Sequence, residues 1–134
     1  MEAVVALGNP DKGDDGIGFY VLKKLRERKS KKLLLDAEVP ENVLHKLRGK
    51  KIERLYILDA GDFSGKPGEI RITRDPPDAF SVSTHSTNLK TYVNYLKNSL
   101  GIRQIILILV QVKTRDAISP EVRKAGNILA RILS

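Results

Sequence analysis

The sequence predicts one α/β domain in which a mainly parallel sheet is covered by helices on both faces. Short apolar runs alternate with amphipathic stretches in the order βαβαββαβα, which is typical of parallel strands joined by helical crossovers. The chain has 134 residues, which is enough for one domain with its own hydrophobic core. We therefore assign residues 1–134 to one domain built of three layers: helices, sheet and helices.

The first half of the chain contains three predicted strands and two predicted helices. Ala3–Leu7 is an apolar run whose length suits a buried strand. Asp15–Lys29 is the first helix, because its apolar residues recur on one face and its basic residues lie on the other. Leu33–Ala37 is the second strand, and Pro40–Leu47 is a short helix that begins at a proline. Arg54–Leu58 is the third strand.

The second half contains two predicted strands and two predicted helices. Gly68–Thr73 alternates apolar and polar residues, as an edge strand does. Thr87–Leu100 is an amphipathic helix, and Gln104–Gln111 is the central apolar strand. Ser119-Pro120 is typical of a helix start, with serine as the N-cap and proline at the first helical position. The apolar positions of this last helix are Val122, Ala125, Leu129 and Ile132.

Composition and charge exclude several classes of function. The chain has no cysteine, which excludes a disulfide framework, a thiolate metal site and a cysteine nucleophile. No apolar run approaches the roughly 18 residues of a membrane span and no leader pattern is visible, so we expect a cytoplasmic protein without a membrane partner. The net charge of +8 favours a polyanionic partner, but seven aromatic residues are few for stacking on bases, and no nucleic-acid partner is expected.

Carboxylates lie at or after the ends of the first three predicted strands, among them Asp36 at the end of the second. Asp14 and Asp15 lie in the glycine-rich loop after the first strand, and Asp59 follows the third. Because ligands of an open parallel sheet bind outside the carboxyl ends of its strands, these side chains are candidates for one site. His85, in the loop before the long helix, adds an imidazole. Two carboxylates and one imidazole suit a borderline divalent metal such as nickel or zinc.

Each candidate also has a purely structural interpretation. Asp14 has the position of an N-cap for the first helix, and the alternative is that it shares a ligand role with Asp15. Asp15 alone would be favourable near the positive end of the helix dipole, and Asp59 alone is interpretable as a turn residue at a strand end. His85 alone is interpretable as a loop histidine bonded to the backbone, and His45 lies inside the short helix and is interpreted as structural. The basic run at 23–32 is interpreted as a solvated helix face.

The glycine-rich loop does not fit the common nucleotide-binding or hydrolase motifs. Gly8 and Gly13 have the spacing of a P-loop, but no Lys-Ser/Thr pair follows. The glycines at 13, 16 and 18 are in the wrong order for a dinucleotide fingerprint, and the neighbouring acidic residues disfavour a phosphate. The sequence also lacks the Gly-x-Ser-x-Gly motif of many serine hydrolases.

The same residues resemble the motifs of the hydrogenase maturation proteases. Leu7-Gly8-Asn9 followed by Asp14-Asp15-Gly16-Ile17-Gly18 is similar to the family's Gly-Asn-x-Leu-x-x-Asp-Asp/Glu-Gly-x-Gly. Asp59-Ala60 matches its second acidic motif, and the loop histidine His85 matches its third. The resemblance covers nearly the whole chain.

This resemblance implies a fold, an activity and a site. The fold is a three-layer sandwich of the phosphorylase/hydrolase-like type. The activity is that of an aspartyl endopeptidase that trims the C-terminal extension of a NiFe-hydrogenase large-subunit precursor once nickel has been inserted. Asp15, Asp59 and His85 are then the catalytic residues and the ligands of the nickel that the substrate carries, with another divalent metal as a substitute in vitro.

Two other functions fit parts of the sequence. Ala6-Leu7-Gly8-Asn9-Pro10 also resembles the opening of peptidyl-tRNA hydrolase, whose RNA substrate would suit the net charge of +8. Against this alternative, the Arg-His-Asn that should follow is absent, and Asp14 and Asp15 stand near its place. The third interpretation is a metal-binding or docking module without catalysis that uses the basic helix face.

Overall fold

A mainly parallel sheet forms the middle layer of the molecule and confirms the predicted fold class. The structure is a computed structural model that describes residues 1–74, 81–82 and 89–134, with backbone only for 81–82. The strands are β1 Glu2–Leu7, β2 Leu33–Ala37, β3 Arg54–Asp62, β4 Ile70–Thr73, β5 Ser81–Val82 and β6 Gln104–Gln111. They are ordered β2-β1-β3-β6-β4, and β5 pairs with the end of β3. The contacts among β2, β1, β3 and β6 are parallel, whereas β4 and β5 pair antiparallel.

Two helical layers cover the sheet. Their helices are α1 Ile17–Glu27, α2 Leu44–Leu47, α3 Leu89–Asn98 and α4 Pro120–Leu133. The helices α2 and α3 share one hydrophobic core with the sheet, and α1 and α4 share the core on the opposite face. In the described parts of the chain, none of the helices has the length and apolar character that a membrane crossing needs.

The start of α1 differs from the prediction. Gly13–Gly16 forms a separate 3-10 turn, and the α-helix begins only at Ile17 rather than at Asp15. The short helix is divided in the same way, because a 3-10 turn at Pro40–Val43 precedes α2. Both turns follow the carboxyl end of a strand, and the first of them contains Asp14 and Asp15.

The third strand is longer than predicted, and this changes the interpretation of Asp59. The prediction ended the strand at Leu58, but β3 continues to Asp62. Its extension is held on both sides, because Asp59 pairs with Leu109 of β6 and Gly61 pairs with Val82 of β5. Asp59 is therefore a residue within a strand, and its interpretation as a turn residue was wrong.

The last helix begins as predicted but buries a different residue near its end. Ser119 is the N-cap by position and Pro120 is the first helical residue. Ile132 is 66% exposed, whereas Leu133 is buried. Leu129 and Leu133 are four residues apart and lie on the same helix face, while Ile132 falls outside it. Ile132 was therefore wrongly placed on the apolar face.

A buried tyrosine connects α3 to the loop after β2. The Tyr92 hydroxyl donates a hydrogen bond to the Pro40 carbonyl oxygen at 3.0 Å. Burial, with a smaller contribution from Glu41, raises the pKa of Tyr92 above its usual value. The hydroxyl thus remains protonated and can act as a donor, which fixes the Pro40 turn against α3.

Candidate active site

Three aspartates are buried at the edge of the sheet where its parallel strands end. Asp14 and Asp15 lie in the 3-10 turn after β1, and Asp59 lies in β3. Burial of an ionised carboxylate is costly unless hydrogen bonds or opposite charges compensate it. The partners of each aspartate therefore indicate what each one does.

Asp59 lies on the face of the sheet that α3 covers. Leu55 and Ile57 belong to the core beneath α3, and side chains alternate along a strand, so Asp59 falls on the same face. One of its carboxylate oxygens, Oδ1, accepts a hydrogen bond from the backbone N–H of Ala60 at 2.8 Å. A buried carboxylate in this position can supply an oxygen ligand to a cation or accept a proton.

Asp15 is brought next to Asp59 through a glycine. The β1 strand ends beside β3, with Ala6 paired to Leu58, and Gly8 then adopts a φ of +131°. A methyl group on Gly8 would overlap the Asp15 carbonyl oxygen and lie 3.9 Å from Asp59 Oδ1. The backbone of residue 8 thus lies against both aspartates, and only a glycine leaves room there. Two of the three predicted site residues thus lie at the same glycine, Asp15 through its main-chain carbonyl and Asp59 through its carboxylate.

Replacing this glycine is expected to disrupt the site. Gly8→Ala requires a strained backbone and pushes the Asp15 turn away, so we expect a loss of about 3 kcal/mol in the free energy of unfolding. Urea denaturation measures this loss. The matched control is Gly49→Ala, because Gly49 also has a positive φ but nothing within 4 Å of its added methyl group. Equal losses of unfolding free energy in both variants would show that the contact with Asp15 does not affect stability.

Asp14 does not cap a helix, so the N-cap prediction was wrong. Its carboxylate reaches the loop after β6, where Oδ2 accepts hydrogen bonds from the N–H groups of Lys113 at 2.7 Å and Thr114 at 2.9 Å. Ser119 donates its backbone N–H to Oδ1 at 2.7 Å and its hydroxyl to Oδ2 at 3.0 Å. The N-cap position of α1 is Gly16 instead. Asp14 therefore joins two loops, and both of its oxygens are occupied in doing so.

Arg115, in the same loop after β6, contacts Asp15. Its Nε lies 3.3 Å from Asp15 Oδ2, and its side chain is 56% exposed while that of Asp15 is fully buried. The loop that carries Arg115 is also held by its backbone, because Asp14 donates its N–H to the Thr114 carbonyl oxygen at 3.0 Å. Sequence reasoning missed both Arg115 and the role of Asp14, since no local pattern links residues so far apart in the chain.

The buried side chain of Gln111 stabilises the ends of β3 and β6. The Gln111 side chain donates a hydrogen bond to Asp62 and accepts hydrogen bonds from the N–H groups of Phe63 and Gly65. The hydrogen bond from the Ser64 N–H, followed by that from Gln111, lowers the pKa of Asp62 below its usual range. These contacts fix the chain as it leaves β3, just beyond Asp59.

His85, the third predicted site residue, lies outside the described residues. The described helix α3 begins at Leu89, four positions after His85, and covers the face of the sheet that carries Asp59. Within the described ranges, no three histidine, aspartate or glutamate side chains are grouped closely enough to hold a metal. The other residues considered are not part of the acidic site: Asp36 pairs with Arg26 at 2.9 Å, and His45 is exposed on α2.

Comparison with known proteins identifies the family. The model of the HycI hydrogenase maturation protease family matches residues 19–133. The chain belongs to the hydrogenase maturation proteases. This assignment confirms the family inferred from the motifs around Asp15, Asp59 and His85, and it disfavours the peptidyl-tRNA hydrolase alternative.

Relatives of this maturation protease come from both archaea and bacteria. The chain is 33% identical to the hydrogenase 3 maturation protease of Escherichia coli K12, over 82% of this chain and 72% of the relative. A candidate hydrogenase maturation protease of Methanocaldococcus jannaschii is 32% identical over 97% of this chain and 84% of its own length. The crystal structure of the NiFe hydrogenase maturation protease HycI from Thermococcus kodakarensis KOD1 is similar with a TM-score of 0.82 and 29% identity, covering 98% and 88% of the two chains.

Proposed function

We propose that this maturation protease removes the C-terminal extension of a NiFe-hydrogenase large-subunit precursor after nickel insertion, and that Asp15, Asp59 and His85 bind the nickel held by that precursor. Family membership supports the proteolytic activity. The observation that supports the site is that Asp15 and Asp59 are both buried and that Gly8 lies against the Asp15 main-chain carbonyl and the Asp59 carboxylate.

The chemistry of the two aspartates suits recognition of a cation. Carboxylates in a buried place repel each other and are poorly solvated, so a divalent ion that neutralises them binds favourably. Asp15 and Asp59 offer oxygen ligands and His85 offers an imidazole nitrogen, a mixed set that nickel accepts. The nickel is part of the substrate in this proposal, so its arrival reports that insertion is complete.

Cleavage then follows as hydrolysis of the peptide placed against the site. A water molecule adds to the scissile carbonyl carbon, and its proton is taken up by a carboxylate at the site. The C–N bond breaks as the leaving nitrogen receives a proton. The products are a shortened large subunit with a new carboxylate terminus and a released peptide with a free amino terminus. Because aspartates accept the proton in this scheme, the enzyme is an aspartate-dependent endopeptidase.

Intact-mass analysis of a large-subunit precursor tests this function. With the wild-type chain, the nickel-loaded precursor should lose its C-terminal peptide, and the nickel-free precursor should remain intact. Asp15→Asn and His85→Ala should each prevent the loss because they remove a nickel ligand. His45→Ala is the matched control for His85→Ala, since His45 is an exposed histidine on α2. Equal cleavage of both precursor forms would refute nickel recognition.

The remaining expectations stay predictions. The proposed partner is the precursor, no nucleic acid is expected, and the cytoplasm is the expected location. Release of peptide from peptidyl-tRNA under the same conditions would instead support the alternative function, that of a peptidyl-tRNA hydrolase.

A further inference from the structure

Arg115 places a positive charge at the carboxylate that is proposed to bind nickel. The ion pair joins Arg115 Nε to Asp15 Oδ2 at 3.3 Å. The two partners differ in burial: the aspartate side chain is fully buried, whereas the arginine side chain is 56% exposed. A guanidinium group that is half in water can leave its partner by side-chain rotation, whereas a buried carboxylate cannot follow it.

Contacts on either side of Arg115 hold the backbone of its loop, so rotation of the side chain is the simplest way for the guanidinium group to leave Asp15. Asp14 accepts hydrogen bonds from the N–H of Thr114, which precedes Arg115, and from the N–H of Ser119, four positions after it. A methyl group on Gly13 would lie 2.6 Å from the Arg115 carbonyl carbon, which shows how closely the two loops pack. The fixed backbone keeps the guanidinium group within reach of Asp15.

We propose that Arg115 is a positioning residue that acts through Asp15: it neutralises this buried carboxylate and competes with free divalent metal ions for it. A divalent ion bound by Asp15 would be repelled by the nearby guanidinium group, so binding requires that Arg115 move away. A free ion in water gains too little to displace it. A precursor that presents nickel already held by its own ligands adds its protein contacts, and it can displace Arg115. Arg115 thus makes the site selective for delivered nickel over free metal; this inference rests on the proposed function.

Isothermal titration calorimetry of the metal-free chain with Ni²⁺ alone tests the competition. Arg115→Gln removes the charge but keeps a long polar side chain, and we expect its Ni²⁺ affinity to rise about tenfold or more. Arg115→Lys keeps the charge and should retain an affinity near that of the wild-type chain. Arg123→Gln is the matched control, because it removes the same charge from an exposed position on α4.

Three outcomes would overturn the inference. The first is an Arg115→Gln variant that binds Ni²⁺ no better than Arg123→Gln. The second is an equal gain in Arg115→Lys, which would show that charge is not the cause. The third is a gain that persists when Asp15→Asn is added, since the metal would then bind elsewhere. Thermal melting of each variant confirms that it is folded.

The precursor assay separates this inference from the proposed function. If Arg115→Gln gains Ni²⁺ affinity but the wild-type chain does not cleave the nickel-loaded precursor, the proposed function fails and the competition at Asp15 stands. If the wild-type chain cleaves but Arg115→Gln shows no gain, the function stands and the inference on Arg115 fails.

Discussion

Asp59→Asn is expected to abolish cleavage of the nickel-loaded precursor without unfolding the domain. The amide has the size of the carboxylate, and its oxygen can still accept the hydrogen bond from the Ala60 N–H. It carries no charge to attract a cation and cannot accept a proton as a base. We therefore expect the cleavage rate to fall by about a hundredfold or more, with a change in unfolding free energy below about 1 kcal/mol.

Intact-mass time courses and urea denaturation of the same preparations measure the two effects. Asp36→Asn is the matched control: it changes an aspartate in the neighbouring strand β2 that is exposed and paired with Arg26. This control should cleave at the wild-type rate. An Asp59→Asn variant that cleaves normally would exclude Asp59 from the reaction.

Asp14→Ala is expected to cause the largest loss of stability. The substitution removes the acceptor from the N–H groups of Lys113, Thr114 and Ser119, and from the Ser119 hydroxyl. Backbone donors that lose a charged acceptor in a buried place are costly, so the free energy of unfolding should fall by about 3–5 kcal/mol. The melting temperature of a domain of this size should then decrease by roughly 10–20 °C.

The matched control for Asp14 lies in the loop that it holds. Asp116→Ala changes an exposed aspartate in the same loop and should leave the melting temperature within about 2 °C of wild type. Calorimetry of both variants, without metal, makes the comparison. A small effect of Asp14→Ala on melting, together with a large effect on nickel-dependent cleavage, would contradict the loop-joining role and favour a ligand role.

The sequence predicts the strands well wherever local pattern determines them. The bounds of β2 and β6 agree with the prediction because both strands are largely apolar runs flanked by polar or glycine-containing segments. The extension of β3 was not predictable, since Asp59 to Asp62 includes aspartate and glycine, which are poor strand formers. Pairing with β5 and β6 on either side holds this segment in the sheet. Partners distant in sequence therefore override local propensity there.

The candidate site also contains residues that the sequence predicts and residues that it does not. Asp15 and Asp59 could be placed at one edge because parallel strands end together, and the structure brings them to the same glycine. Asp14 directly precedes Asp15 and has the same carboxylate side chain, yet its role is different. Its partners lie 99 to 105 positions further along the chain, so no local signal identifies them. Arg115 was missed for this reason as well.

The contacts of Asp14 also have a consequence for biosynthesis. They close a loop of about a hundred residues between the start of the chain and the segment just before α4. Closure of so long a loop is a late event in folding, and on the ribosome it must wait until residues 113–119 have emerged. The nascent chain therefore lacks the hydrogen bonds that hold the turn with Asp14 and Asp15 until the segment up to Ser119 has been made.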